Sequence, residues 1–99
     1  MQNLSVLLTE NYVVLFMKGD SSYPICGLSS TVYELLKKCK LKFITVNLLA
    51  NPHIHIYMKE KHPTASVPYL YVGGRFVGGY DKVLQLFRTG KLKALCHST

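Results

Sequence analysis

The sequence predicts an α/β fold, a four-stranded mixed sheet flanked by helices, and three observations carry it. Tyr12-Val13-Val14-Leu15-Phe16-Met17 is a short apolar, partly β-branched run ended by Lys18-Gly19, the pattern of a strand buried on both faces. A helical stripe separates it from a second run, Lys42-Phe43-Ile44-Thr45-Val46-Asn47, and two strands joined by a helix pair in parallel. Gly73-Gly74 then links Tyr69-Leu70-Tyr71-Val72 to Arg75-Phe76-Val77 in the form of a two-residue hairpin.

The remaining elements follow in chain order. Residues 2 to 10 read as an opening helix, with Leu4, Leu7 and Leu8 on one face. Asp20, Ser21, Ser22 and Pro24 are loop, and after Gly27 apolar residues recur at Leu28, Val32, Leu35, Leu36 and Cys39, which is helical spacing. Asn51-Pro52 is an N-cap followed by proline at the first helical position, opening a helix that runs to about Lys61. Val67-Pro68 interrupts before the third strand. After Gly78-Gly79-Tyr80 comes a helix capped by Asp81, carrying Val83, Leu84 and Phe87 and ended by Gly90. A last helix covers about Lys91 to Cys96. The order is α-β-α-β-α-β-β-α-α, with the turn at Cys26, Val67-Pro68 and Gly79-Tyr80-Asp81 converging at one edge of the sheet.

At 99 residues and 48% hydrophobic content, residues 1–99 are expected to form a single domain whose core needs no disulfide or structural metal. Cys26, Cys39 and Cys96 are an odd count without CxxC spacing, which disfavours a secreted disulfide framework and points to a reducing compartment. No run has the length of a membrane span, and the start lacks the basic residues of a signal peptide. The expected setting is therefore the cytoplasm, with a mitochondrion or related organelle as the alternative. Twelve Lys and Arg stand against five Asp and Glu, concentrated in Lys37-Lys38-Cys39-Lys40-Leu41-Lys42 and in Arg88, Lys91 and Lys93. Both clusters lie where helices end, so they read as answers to the helix macrodipole; without a stacking platform, nucleic acid and membrane are not expected partners.

Cys26 carries the chemistry. It lies in the turn between the first strand and a helix, where unpaired N–H groups and the macrodipole favour a thiolate, and Lys18 across the loop adds positive charge. The plainer alternative is a small buried hydrophobe. Three residues on, where a second thiol would resolve a disulfide, stands Ser29. Cys39 completes the apolar stripe of its helix and reads as core, and Cys96 reads as exposed, with a Cys26–Cys96 disulfide left open. His53, His55 and His62 read as surface histidines rather than a metal trio, because positions two apart on a helix face different ways.

Three motifs in order resemble the monothiol class of the glutaredoxin family, within the thioredoxin fold, from Val13 to about Leu95. Lys18-Gly19, the loop to Pro24-Ile25 and Cys26-Gly27-Leu28-Ser29 resemble its lengthened loop and CGFS signature; Ser66-Val67-Pro68 is similar to its TVP or TIP segment, and Gly78-Gly79-Tyr80-Asp81 to its GG-x-D motif. Leu28 replaces the signature phenylalanine, and Thr64-Ala65 the usual Trp-Pro pair.

The resemblance implies a glutathione groove. Lys18 and Lys59 would meet the glycine carboxylate, Ser66 and the Val67 backbone would pair with the cysteine portion beside a cis Pro68, and Gly79, Tyr80 and Asp81 would meet the γ-glutamyl end. Each has a plain reading too: lysines are usually just exposed, Asp81 serves as a helix cap, and a trans proline can open an edge strand. It further implies a two-iron, two-sulfur cluster with Cys26 as its ligand, bridging a homodimer whose apo form is a monomer, for storage and transfer to apo iron–sulfur proteins. The alternative is a glutathione-dependent thiol–disulfide oxidoreductase using Cys26 alone, which would give the chain weak enzyme activity at most.

Overall fold

The structure, a computed structural model, describes residues 3–20, 22 and 27–97. The elements are α1 (Leu4–Glu10), β1 (Val13–Met17), α2 (Gly27–Lys38), β2 (Ile44–Asn47), α3 (Pro52–Lys61), β3 (Tyr69–Val72), β4 (Arg75–Gly78), α4 (Tyr80–Arg88) and α5 (Lys91–His97). The sheet order is β2-β1-β3-β4. β1 pairs parallel with β2 and antiparallel with β3, and β3 pairs antiparallel with β4. The expected four-stranded mixed sheet is thus present in the expected chain order.

Every residue of β1 is buried, because the sheet is covered on both faces. Side chains alternate along a strand, so Val13, Leu15 and Met17 enter one core with Val32 and Leu36 of α2, Val83 of α4 and Leu92 of α5. Val14 and Phe16 enter the other, with Ile54 and Met58 of α3 and with α1's Leu4, Leu7 and Leu8 packed against it. Fully burying such side chains stabilises by roughly 1.5–3 kcal/mol each, so this central strand anchors both layers.

Turns and caps fix the ends of the elements. Asn3 caps α1 by accepting from the Val6 N–H at 3.2 Å. Gly73 and Gly74 turn the β3–β4 hairpin with φ of 60° and 79°, the left-handed pair that a two-residue hairpin requires. α2 ends in a Schellman motif, Lys40 N–H to Lys37 C=O at 2.9 Å and Leu41 N–H to Leu36 C=O at 3.3 Å. Lys40 takes the left-handed position at φ 56°, where a non-glycine residue costs about 1–2 kcal/mol.

Several local readings change. The inward face of α2 includes Ser29, with 0% of its surface exposed, while Leu28 is 39% exposed and does not belong to the buried stripe. Asn51 makes no side-chain cap; its amide donates to the Asn47 C=O at 2.9 Å, tying α3 to the end of β2. The N-cap of α4 is Gly79, and Asp81 lies inside the first turn. Cys96 is 5% exposed, and burial, reinforced by neighbouring Cys39, pushes its thiol up to about 11. It is a core residue, whereas Cys39 is half-buried against the same cluster.

Candidate functional site

Cys26, the expected nucleophile and metal ligand, lies outside the described residues. The carboxyl end of β1 continues to Lys18 and Gly19. The Lys18 N–H donates to Ser29 Oγ at 3.2 Å, and the Gly19 N–H to Asn47 Oδ1 at 3.0 Å. The Leu48 N–H donates to the Met17 C=O at 2.8 Å. These bonds lock the strand's exit to the first turn of α2 and to the lead-in of α3. Ser29 therefore holds up the site instead of offering a second thiol, and its hydroxyl is committed to the backbone.

Lys18 and Lys59, both expected to meet a carboxylate, lie near enough to His55 of α3 for each charge to act on it. Lys18 is half-buried and Lys59 exposed. Half-buried His55 precedes Lys59 by one helical turn and shares its face of α3. Burial first, then the charges of Lys59 and Lys18, hold the His55 imidazole below its ordinary pKa. The spacing of His55 and Lys59 on a helix carried the signal. Weighing the histidines only against one another misses it.

The other end is built by Ser66, Val67, Pro68, Gly79, Tyr80 and Asp81. The Val67-Pro68 bond is cis, as the family resemblance implied. The Tyr80 N–H donates to the Ser66 C=O at 3.1 Å, drawing the start of α4 against this segment. The approach demands glycine: a Cβ on Gly79 would lie 2.4 Å from the Ser66 carbonyl oxygen, which is backbone and cannot rotate away. A cavity of about 230 Å³ opens here, lined by Ser66, Gly79, Asp81 and Lys82 among others. No backbone hydrogen bond among the described residues engages Val67, and none of the described residues pairs with the exposed Asp81 carboxylate.

One cationic corner, one Val67 backbone without a backbone hydrogen bond among the described residues, and one helix opening with an acidic side chain in its first turn suit an extended peptide with two carboxylates and an ammonium group. Among the described residues no cluster of three or more His, Cys, Asp or Glu side chains could hold a metal ion.

His62 is a further correction, since it is no free surface histidine. Its ring stacks on Phe76, with centroids 3.5 Å apart and planes at 13°. His62 Nε2 lies 2.7 Å from the Tyr71 hydroxyl. Burial and neighbouring Lys61 lower the His62 pKa, and burial pushes the Tyr71 phenol up to about 12, with a smaller contribution from Tyr57. The ring nitrogen and the phenol thus share one short hydrogen bond, whose direction follows the imidazole tautomer. This cluster braces the chain leading into Ser66.

Taken together, a parallel strand–helix–strand unit completed by a hairpin, with a cis proline leading into the hairpin's first strand, defines a protein of the thioredoxin-like fold. The sequence model of the glutaredoxin family matches residues 13–77. The chain is 42% identical over 98 residues to chloroplastic monothiol glutaredoxin-S14 of Arabidopsis thaliana, an alignment covering 94% of this chain and 57% of that longer protein. Among solved structures, reduced poplar apo GrxS14 superposes with a TM-score of 0.78 at 37% identity, covering 92% of this chain and 84% of that one. A buckwheat glutaredoxin–glutathione complex matches with a TM-score of 0.78 at 26% identity, covering 92% and 81%. The chain belongs to the glutaredoxin family, in its monothiol class.

Proposed function

We propose that this protein binds glutathione in the groove just described, and that two copies carry a two-iron, two-sulfur cluster between two Cys26 thiolates and two glutathione thiolates. The observation that carries the glutathione reading is the Val67 backbone, which no backbone hydrogen bond among the described residues engages, beside the cis Pro68 and the Ser66 contact to the start of α4. Lys18 and Lys59 take the glycine carboxylate, Val67 pairs with the cysteine portion, and Asp81 takes the γ-glutamyl ammonium. The buckwheat relative, solved in complex with glutathione, supports glutathione as the ligand.

When bound, glutathione supplies a second thiolate beside Cys26. A thiolate-rich set suits an iron–sulfur cluster, and one Cys26 with one glutathione gives half of the four ligands needed. The cluster is cargo: apo iron–sulfur proteins are its recipients, and the setting is a reducing one, the cytoplasm before an organelle. The buried hydroxyl of Ser29 favours the carrier over dithiol reduction, because no second thiol stands at that position to resolve a disulfide.

Anaerobic purification with an absorbance spectrum and counts of iron, sulfide and glutathione tests the proposal. Two irons, two sulfides and two glutathiones per pair of chains are expected. Colourless protein after reconstitution with iron, sulfide and glutathione would overturn the carrier reading.

A further inference from the structure

Among the described residues β2 is an edge strand, since the strand order places no neighbour beyond it. Beside this edge lies a groove of about 500 Å³, lined by Tyr33, Lys37, Lys40, Lys42, Phe43 and Thr45 among others. Lysines enter it from the end of α2, from its left-handed cap and from the lead-in to β2, and no carboxylate is among its described lining residues. Lys37 Nζ sits 5.7 Å from the centre of the Tyr33 ring, and Tyr33 meets Phe43 edge-on at 5.6 Å and 69°. An aromatic floor thus underlies a cationic rim. We infer that the β2 edge and this groove bind an extended acidic peptide segment of a partner protein.

The chemistry chooses this occupant over nucleic acid. Base stacking needs an open ring face, but the Tyr33 face carries Lys37, and both rings are half-buried against the core cluster. An edge strand offers instead a row of backbone donors and acceptors, which an added strand satisfies while its alternate side chains meet one face. Acidic side chains at those positions reach Lys37, Lys40 and Lys42, and apolar ones reach the Tyr33–Phe43 shelf. A chain with formal net charge +7 also draws in an acidic segment at long range.

Position makes the surface useful. β1 and β2 run parallel, so the groove at Lys40–Thr45 lies at the opposite end of the strands from Lys18 and Asn47. A partner held there leaves the candidate glutathione groove open. The inference does not depend on glutathione binding.

The test is fluorescence anisotropy of the intact protein with a labelled peptide of alternating Glu and Val. Its comparators are the same peptide N-methylated along one edge, a Lys-Val peptide and a single-stranded DNA oligonucleotide. Expected are binding of the Glu-Val peptide that weakens with salt, and a loss of about tenfold in Lys37→Glu/Lys42→Glu, since each reversal turns an attraction into a repulsion. A loss of about tenfold on N-methylation is also expected, because strand pairing needs the backbone donors. Nuclear magnetic resonance shifts should concentrate on residues 37–45. Three results would overturn the inference: no binding of the Glu-Val peptide, tighter binding of the oligonucleotide, or equal binding by the N-methylated peptide. Equal binding by the milder Lys37→Gln/Lys42→Gln variant would overturn it as well.

Discussion

Ser29 shows how one side chain can fix both structure and chemistry. Its buried Oγ accepts from the Lys18 N–H, so Ser29→Ala leaves a part-buried donor unpaired, at a cost of about 1–3 kcal/mol. Urea denaturation should show the midpoint falling with an unchanged slope; an unchanged midpoint would remove Ser29 from its supporting role. Lys59 and Asp81 are exposed, and under the proposed function they contribute to the ligand. Charge-assisted contacts are worth roughly 1.5–3 kcal/mol, so Lys59→Ala and Asp81→Ala should each weaken glutathione binding about tenfold to a hundredfold by calorimetry. Unchanged affinity in both would remove the proposed groove. His55 and His62 add a pH dependence. Both have folded pKa values below the ordinary 6.5, so the unfolded chain binds protons first as the pH falls. Their contribution is present above 6.5 and lost below it, well before carboxylates titrate. The urea midpoint should drop between about pH 7.5 and about pH 5.5 and drop less in His55→Gln/His62→Gln; a flat profile in the parent protein would contradict this.

Among the elements, the junction of α4 with the Ser66–Pro68 segment decides the groove. Gly79→Ala places a Cβ against the Ser66 carbonyl and must push α4 away from that segment. It should lower stability and glutathione affinity together, whereas Asp81→Ala should lower affinity alone; calorimetry and urea denaturation on both variants separate the two. The sequence showed which elements exist, because β-branched runs, the Gly73-Gly74 turn and apolar periodicity are local signals. It misplaced what depends on neighbours. Asp81 has the residue type of an N-cap, but the bond from Tyr80 to Ser66 starts the helix earlier. Leu28 fits the helical period, yet Ser29 faces inward because the Lys18 backbone offers it a partner. His62 gave no sign of its place, since Tyr71 and Phe76 reach it from other strands. The motifs carrying the family likeness were legible, while the half-burial of His55 beside Lys59 depended on how α3 docks.

At the scale of the whole molecule, two cores share one buried central strand, and the candidate site stands where that strand's carboxyl end meets α2, α3 and the proline-led β3. Each chain offers one Cys26 and, by the account above, one glutathione. The remaining two thiolates must come from a second copy, so cluster and dimer should appear and vanish together. Size-exclusion chromatography with iron analysis, run anaerobically on the parent protein, Cys26→Ser and Cys39→Ser, tests this most directly. The account predicts iron only in a dimer peak for the parent and for Cys39→Ser, and an iron-free monomer for Cys26→Ser. Iron retained by a monomer, or by Cys26→Ser, would contradict it.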